Sequence, residues 1–118
     1  MQVNTTNIQG KSIAEIVSED IVISEVQDAL DLMADCRYSG NDGIILYESQ
    51  ILPEFFDLKT GIAGEILQKF STYDMQLAII GDFSKYTSKS LRDFIYESNK
   101  TGRINFVGSL EEAREKLS

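Results

Sequence analysis

The spacing of hydrophobic residues divides the chain into strands and helices. Residues 3–8 and 12–17 show strand-like alternation on either side of a Gln9-Gly10-Lys11 turn, which predicts a β-hairpin. Three later runs rich in β-branched residues are short enough for buried strands, at residues 44–47, 77–80 and 104–107. The pattern therefore predicts five strands.

Residues at helical spacing follow the second and each later strand. A first helix is predicted from helical spacing, i, i+3, i+4, i+7 and i+11, at positions 26, 29, 30, 33 and 37, with Ser24 as its N-cap. Apolar stripes over residues 62–70 and 91–95 predict two more helices. A capping box of Ser109 and Glu112 predicts the start of a fourth.

The resulting order of elements is ββαβαβαβα. Strands that alternate with helices pair in parallel through right-handed crossovers, so only the first strand is expected to be antiparallel. The sequence therefore predicts a single α/β domain over residues 1–118, with a mixed, mostly parallel sheet and flanking helices.

The composition narrows the classes of function. The 118 residues include no His and one cysteine, Cys36, which excludes a His-based catalytic triad, a zinc site and a disulfide framework. Cys36 is expected to be a small core residue, and we expect no metal or cofactor. No apolar run reaches the ~20 residues of a membrane helix, and residues 1–10 do not resemble a signal peptide, so we expect a cytoplasmic protein.

The formal net charge is −8, and residues 1–59 carry all of the excess with three cations and eleven anions. This negative field opposes the binding of nucleic acid, which requires a cationic face. Residues 84–103 are locally positive, with five cations against two anions, so a small anion can still bind there.

Acidic residues follow two of the predicted parallel strands, and ligands of such sheets gather beyond the carboxyl ends of the strands. Glu48 follows the strand at residues 44–47, and Asp82 follows the strand at residues 77–80. Side by side, these carboxylates can hold Mg²⁺ or divide acid and base roles. Solvated surface acids are the alternative interpretation.

The loop after Gly81 has the strand–loop–helix setting of a phosphate-binding loop. It lacks the second glycine of G-x-x-x-x-G-K-[ST], so a nucleoside triphosphate site is not expected. Free N–H groups at the helix N-terminus still favour an anion, and the candidate contacts in this loop are Ser84, Lys85 and Tyr86. Ser and Thr residues in this setting also act as helix caps.

Two features near the second helix have alternative interpretations. Gly61 and Gly64 indicate a close approach by a neighbouring loop, or by a ligand or partner, because glycine costs about 1 kcal/mol in a helix. Phe55 and Phe56 either fill the core, which we favour, or line an apolar pocket for a lipid-like molecule.

Five stretches of the chain resemble a bacterial family of unknown function, DUF4180. They are residues 43–47, 57–70, 77–86, 87–99 and 104–117, which together make up 56 of the 118 residues. This resemblance implies family membership and carries no established activity.

More remotely, the chain is similar to the STAS superfamily of anti-sigma-factor antagonists and their SpoIIAA-like relatives. The motifs are D-x-x-T-G at residues 57–61, Gly-Asp at 81–82 and S-L-E-E-A at 109–113. The resemblance implies a mostly non-enzymatic domain that binds a partner protein or, in some relatives, a small or lipid-like ligand. It also implies Thr60 as a candidate phosphorylation site, in a stretch one residue longer than the family's Asp-Ser-Ser/Thr-Gly pattern.

The leading hypothesis is a non-catalytic STAS-like module that binds a partner protein or a small ligand at the carboxyl ends of the strands. Its candidate contacts are Lys59, Thr60, Ser84, Lys85 and Tyr86. The alternatives are a small Mg²⁺-dependent or anion-binding enzyme that uses Glu48 and Asp82, and a carrier of a lipid-like ligand. An exposed edge strand would also allow a homodimer.

Overall fold

The computed structural model describes residues 1–118 and contains five strands and four helices. The strands are β1 (Gln2–Ile8), β2 (Lys11–Val17), β3 (Gly43–Tyr47), β4 (Gln76–Ile80) and β5 (Ile104–Val107). The helices are α1 (Val26–Tyr38), α2 (Ile62–Thr72), α3 (Lys89–Thr101) and α4 (Leu110–Leu117). Short 3₁₀ turns occupy Glu48–Gln50, Pro53–Phe56, Leu58–Thr60 and Phe83–Lys85. The predicted order of strands and helices is confirmed.

The five strands form one sheet in which the spatial order, β1-β2-β3-β4-β5, is also the order along the chain. β1 pairs with β2 in antiparallel orientation, and the other neighbouring pairs are parallel. β1 is an edge strand whose residues are exposed or half-buried, whereas β4 and β5 are almost entirely buried. The predicted mixed, mostly parallel sheet is thereby confirmed.

Two hydrophobic cores lie on opposite faces of the sheet, because successive residues of a strand point to opposite sides. The larger core contains Leu46 of β3 together with Met33 of α1, Phe70 of α2 and other buried residues, including one from α3. The smaller core contains Ile45 of β3 and Leu117 of α4. Three helices therefore cover one face, and α4 covers the other. None of the four combines the length and apolar character that a membrane crossing requires.

α1 differs from its prediction in two respects. Glu25 occupies the N-cap position without a side-chain hydrogen bond, whereas the Asp28 carboxylate accepts a hydrogen bond from the backbone N–H of Ser24 at 2.8 Å. Arg37 is exposed, and its guanidinium donates to the backbone carbonyl of Asp74 at 3.1 Å. The predicted N-cap, Ser24, is therefore wrong, and Arg37, the last of the five positions used to predict the helix, does not face the core. The buried residues of α1 are Ala29, Leu32, Met33 and Cys36, which confirms Cys36 as a core residue.

No neighbouring loop approaches the start of α2. A Cβ built at Gly64 or at Gly61 has no heavy atom of the chain within 4 Å, so the loop interpretation is wrong, and the alternative of a ligand or partner stays a prediction. Gly61 instead supplies a left-handed backbone conformation, with φ of 77°, immediately before the helix. Nothing in the structure explains Gly64.

The register of the parallel strands places their carboxyl ends at one edge of the sheet. Tyr47 of β3 is the partner of Ile80 of β4, and Ile80 is in turn the partner of Val107 of β5. The connections that follow these residues therefore begin beside one another, at the edge where the candidate residues lie.

Candidate functional site

The Glu48 side chain is the centre of the site. It follows β3 directly, and its Oε2 atom accepts a hydrogen bond from the Tyr86 hydroxyl and lies 2.8 Å from Lys85 Nζ. Only 14% of the Glu48 side chain is exposed, against 57% for Lys85. The carboxylate is thus fixed by two donors from the connection after β4, while the ammonium group keeps access to solvent.

Gly81 allows this arrangement because it has no side chain. A Cβ at Gly81 would lie 2.6 Å from Glu48 Oε1 and 2.8 Å from Glu48 Cβ, closer than real side chains approach. The backbone N–H of Gly81 donates to the carbonyl of Val107 at 3.0 Å, which extends the pairing of β4 and β5 by one residue. The first residue after β4 therefore has to be small for Glu48 to lie over it.

A 3₁₀ turn over Phe83–Lys85 brings Lys85 and Tyr86 to Glu48. Asp82 begins this turn, and its carboxylate accepts hydrogen bonds from the backbone N–H and the hydroxyl of Ser84. These hydrogen bonds, reinforced by the positive charge of Lys85, lower the pKa of Asp82. Asp82 and Ser84 therefore shape the turn that carries Lys85 and Tyr86.

Aromatic side chains form one wall beside the carboxylate. The Phe56 and Tyr86 rings stack at 5.1 Å between centroids, and Phe83 stacks on Tyr86 at 6.4 Å. Phe55 is only 1% exposed and contacts Phe56 edge-on within the larger core. Phe55 thus fills the core, as favoured from the sequence, whereas Phe56 is both a core residue and part of the wall.

An open pocket of about 280 Å³ lies against this wall, and we call it the Glu48 pocket. It is lined by Ile21, Glu48, Ser49, Ile51, Pro53, Phe56, Lys85 and Tyr86. Lys85 Nζ lies 5.4 Å from the centroid of the Tyr86 ring, so its charge is close to the aromatic surface as well as to the carboxylate. The pocket thus presents apolar surface next to one negative and one positive group.

The electrostatics of the pocket keep the Tyr86 hydroxyl protonated. Partial burial, the hydrogen bond to Glu48 and the negative charge of Glu48 all raise the pKa of Tyr86. A protonated phenol can donate only one hydrogen bond, and that bond goes to Glu48. Lys85 is therefore the polar group of the pocket most able to change partners.

Glu48 and Asp82 follow neighbouring strands, as expected, but their hydrogen bonds go to different residues. The carboxylate of Glu48 interacts with Lys85 and Tyr86, and that of Asp82 interacts with Ser84. No group of three acidic, cysteine or histidine side chains is placed to hold a metal ion. The proposed acidic pair stays a prediction, with its two members bound to separate partners.

Lys59 and Thr60 lie in a different turn, Leu58–Thr60, immediately before Gly61 and α2. The Thr60 hydroxyl is within 2.9 Å of two backbone carbonyls, those of Glu54 and Asp57, and it accepts from the backbone N–H of Ile62 at 3.3 Å. No hydrogen bond or ion pair joins Lys59 or Thr60 to the residues around Glu48. Both are exposed, so their role as contacts stays a prediction.

The locally positive segment is less positive in the structure than its sequence suggests. Lys89 pairs with Asp93 at 2.8 Å, and Arg103 pairs with Asp74 at 3.0 Å. Lys85 is likewise paired with Glu48. Three of the five cations of residues 84–103 therefore have an acidic partner within the chain.

A second group of polar residues, on the face covered by α4, is not visible from the sequence. The Tyr47 hydroxyl donates to Glu15 Oε2 at 3.0 Å, and Arg114 of α4 lies 3.7 Å from Glu15 Oε1. Burial and the Glu15 carboxylate raise the pKa of Tyr47. The first contact joins β3 to β2, and only the contact of Arg114 with Glu15 depends on how α4 is docked.

The sequence predicts only part of the wall. Phe56 belongs to the alternative of an apolar pocket, whereas no sequence pattern indicates that Ile21, Ile51 and Pro53 line the same pocket. A further signal is the Gly-Asp pair at residues 81–82, because a glycine directly after a buried strand indicates a close approach by another group.

Comparison with known proteins gives one match. The family model described as Domain of unknown function (DUF4180) matches residues 8–117. No curated protein and no solved structure matches the chain. The remote STAS-like resemblance is not confirmed by these comparisons.

Proposed function

The chain belongs to the DUF4180 family, and we propose that it is a non-catalytic module whose Glu48 pocket binds a group of a partner protein or a small ligand. The observation that carries this proposal is the Glu48 carboxylate, held by Lys85 and Tyr86 at the edge of an open, aromatic-walled pocket. Pockets with a mostly apolar lining and a few fixed polar groups are typical of binding sites.

The size of the pocket favours a small group. Its volume of about 280 Å³ is near the lower end for ligand pockets, which start at roughly 300 Å³. A single amino-acid side chain or the head of a small molecule is therefore a better match than an extended cofactor.

The polar groups favour a ligand that combines an apolar part with an acidic part. Phe56 and Tyr86 provide apolar surface, and the Lys85 ammonium is 57% exposed on its flexible stem. An acidic group can compete with Glu48 for the exposed Lys85 ammonium, because the Tyr86 hydroxyl still donates to the Glu48 carboxylate when Lys85 has turned away.

Two observations support a role in binding rather than in acid–base catalysis. The pKa of Tyr86 is raised and that of Asp82 is lowered, so each lies further from neutral pH than usual. General acid–base catalysis works best with a group whose pKa is near the operating pH. The Glu48 carboxylate, in turn, already interacts with two donors.

The proposal retains the exposed residues Lys59, Thr60 and Ser84 as further contacts of the same partner, and the cytoplasm as its location. A phosphate on Thr60 would carry a charge of about −1.5 to −2 just before α2, where the helix N-terminus favours negative charge. Such a modification would change the charge presented to the partner.

The test uses a matched pair of lysine substitutions, Lys85→Ala in the pocket and Lys100→Ala on the exposed surface of α3. The full-length wild type and both variants are isolated from their native cells, and bound proteins are quantified by mass spectrometry. Native mass spectra of the same samples report any bound small molecule. We expect a bound species that the wild type and Lys100→Ala retain equally and that Lys85→Ala reduces at least tenfold.

The proposal is wrong if no species distinguishes Lys85→Ala from Lys100→Ala. Thermal melts of both variants show whether the fold is retained. Lys85→Ala is expected to retain it, because the Tyr86 hydroxyl still donates to the Glu48 carboxylate.

A further inference from the structure

Asn41 is a buried residue with an unsatisfied side chain. Only 3% of the residue is exposed, and neither Nδ2 nor Oδ1 has a hydrogen-bond partner. Its backbone is satisfied, since the N–H donates to the carbonyl of Cys36 at 2.9 Å. Buried polar groups are nearly always paired, because an unpaired one costs free energy, so the isolated amide requires an explanation.

Other buried amides of the chain are paired. Asn105 donates to the carbonyls of Leu77 and Gly102, at 3.3 and 3.0 Å. Gln50 donates to the carbonyl of Ile16 and accepts from the backbone N–H of Tyr47. The fold thus satisfies its buried amides elsewhere, and Asn41 is the exception.

Asn41 also lines a pocket of about 240 Å³ between β1 and the C-terminal half of α1. Val3 and Leu32 give it apolar surface, Thr5 and Ser39 contribute polar groups, and Asp35 adds a carboxylate. No lysine or arginine is among the lining residues. This pocket is separate from the Glu48 pocket, and the two share no residue.

We propose that this second pocket binds a small, neutral or cationic molecule that carries an amide or an amide-like edge. An amide of Asn41 offers one donor and one acceptor side by side, and a second amide edge matches both of them with two hydrogen bonds. The nearby Asp35 carboxylate disfavours an anion. At roughly 30 Å³ per water molecule, the volume equals about eight waters, which suits a single ring bearing a carboxamide.

Both polar atoms of the Asn41 amide are buried, so a neighbouring side chain has to move before a ligand reaches them, and we assign this movement to Met1, which lines the pocket. Met1 is 73% exposed and precedes the edge strand β1, and its unbranched side chain can change rotamer easily. The ligand then supplies the partners that the Asn41 amide lacks in the free chain.

The test uses nicotinamide and nicotinate as probes, because they share one ring and differ in a carboxamide against a carboxylate. Binding to the ¹⁵N-labelled full chain is followed by NMR at the Asn41 side-chain amide and at the backbone amides of Thr5 and Ser39. We expect saturable shifts with nicotinamide at millimolar concentration and at least tenfold weaker binding of nicotinate. Asn41→Leu abolishes the response.

Thermal melts provide the second measurement. Asn41→Leu removes an unpaired amide and is expected to melt at the wild-type temperature or above it. The matched control Asn105→Leu removes a paired amide and is expected to melt several degrees lower.

Three results would overturn the proposal: no saturable nicotinamide shift at Asn41, equal binding of nicotinate, or an Asn41→Leu melting temperature that falls as far as that of Asn105→Leu. The last result would show that the Asn41 amide is paired in the free protein. None of these results affects the proposal for the Glu48 pocket.

Discussion

Replacement of Gly81 by alanine is expected to destabilise the chain by disturbing Glu48. The added Cβ would lie 2.6 Å from Glu48 Oε1, where ordinary contact begins near 3.4 Å. A rotamer change of Glu48 relieves that overlap, but it does not relieve the 2.8 Å approach to Glu48 Cβ, which is fixed by the backbone. The backbones after β3 and β4 therefore have to separate.

The magnitude follows from the contacts that are lost. Overpacking of this kind costs about 1–3 kcal/mol. The charged hydrogen bond between Tyr86 and Glu48 contributes about 1.5–3 kcal/mol, and the ion pair with Lys85, of which only the lysine is exposed, contributes about 1 kcal/mol. Loss of glycine flexibility in the unfolded chain offsets about 0.4–1 kcal/mol. Because neighbouring contacts are not additive, we expect a net loss of about 2–4 kcal/mol in the free energy of unfolding.

Urea unfolding followed by circular dichroism measures this change, with Gly64→Ala as the matched control. A Cβ at Gly64 meets open space within α2, so that variant should gain about 0.5–1 kcal/mol. The same exchange of glycine for alanine thus has opposite signs at the two positions.

A rescue experiment identifies Glu48 as the cause. In a Glu48→Gly background both close approaches to residue 48 disappear, and the additional substitution at Gly81 should then cost less than about 1 kcal/mol. The reasoning is refuted if Gly81→Ala is as stable as the wild type, or if its cost is unchanged in the Glu48→Gly background.

Three further predictions concern other groups. Because the pKa of Tyr86 is raised above 10.0 in the folded chain, its contribution to stability is complete below pH 10 and is lost as the pH rises beyond that. Chemical unfolding should therefore show that the free energy of unfolding falls more steeply at alkaline pH for the wild type than for Tyr86→Phe. Equal slopes for the two proteins would contradict this prediction. Burial, and to a lesser extent the negative charge of Asp35, raise the pKa of Cys36 to about 11. A thiol reagent at pH 8 should therefore modify Cys36 slowly in the native chain and fully in urea. Rapid modification of the native chain would disprove this prediction. Ser109 accepts the N–H of Glu112 at 3.1 Å, so Ser109→Ala should cost about 1 kcal/mol in thermal or urea unfolding, and an unchanged stability would show that the cap is unimportant.

The strands and helices were predictable because their signals are local. The β-branched runs at residues 44–47, 77–80 and 104–107 need no knowledge of distant residues to be recognised as buried strands. The error at Arg37 arises because a tertiary contact decides its orientation: the side chain faces away from the core and donates to the carbonyl of Asp74, which is 37 positions away.

The candidate site was predictable only in position. The rule that ligands gather beyond parallel strands pointed to Glu48 and to the loop after Gly81. The hydrogen-bond partner of Glu48 was not predictable. Tyr86 lies 38 residues further along the chain, and the sequence alone does not show which residue of the connection after β4 lies beside Glu48. The state of Asn41 was even less accessible, since a missing hydrogen bond leaves no pattern in a sequence.

Because the spatial order of the strands repeats their order in the chain, the sheet can assemble as the ribosome releases it, each strand docking on one already in place. α4 is the exception, since it follows β5 but also covers Ile13 of β2 and Ala78 of β4. Until the eight residues of α4 emerge from the ribosome, one hydrophobic face of the nascent sheet stays uncovered. A translational stall in that interval would leave a nearly complete domain that chaperones recognise and that self-associates.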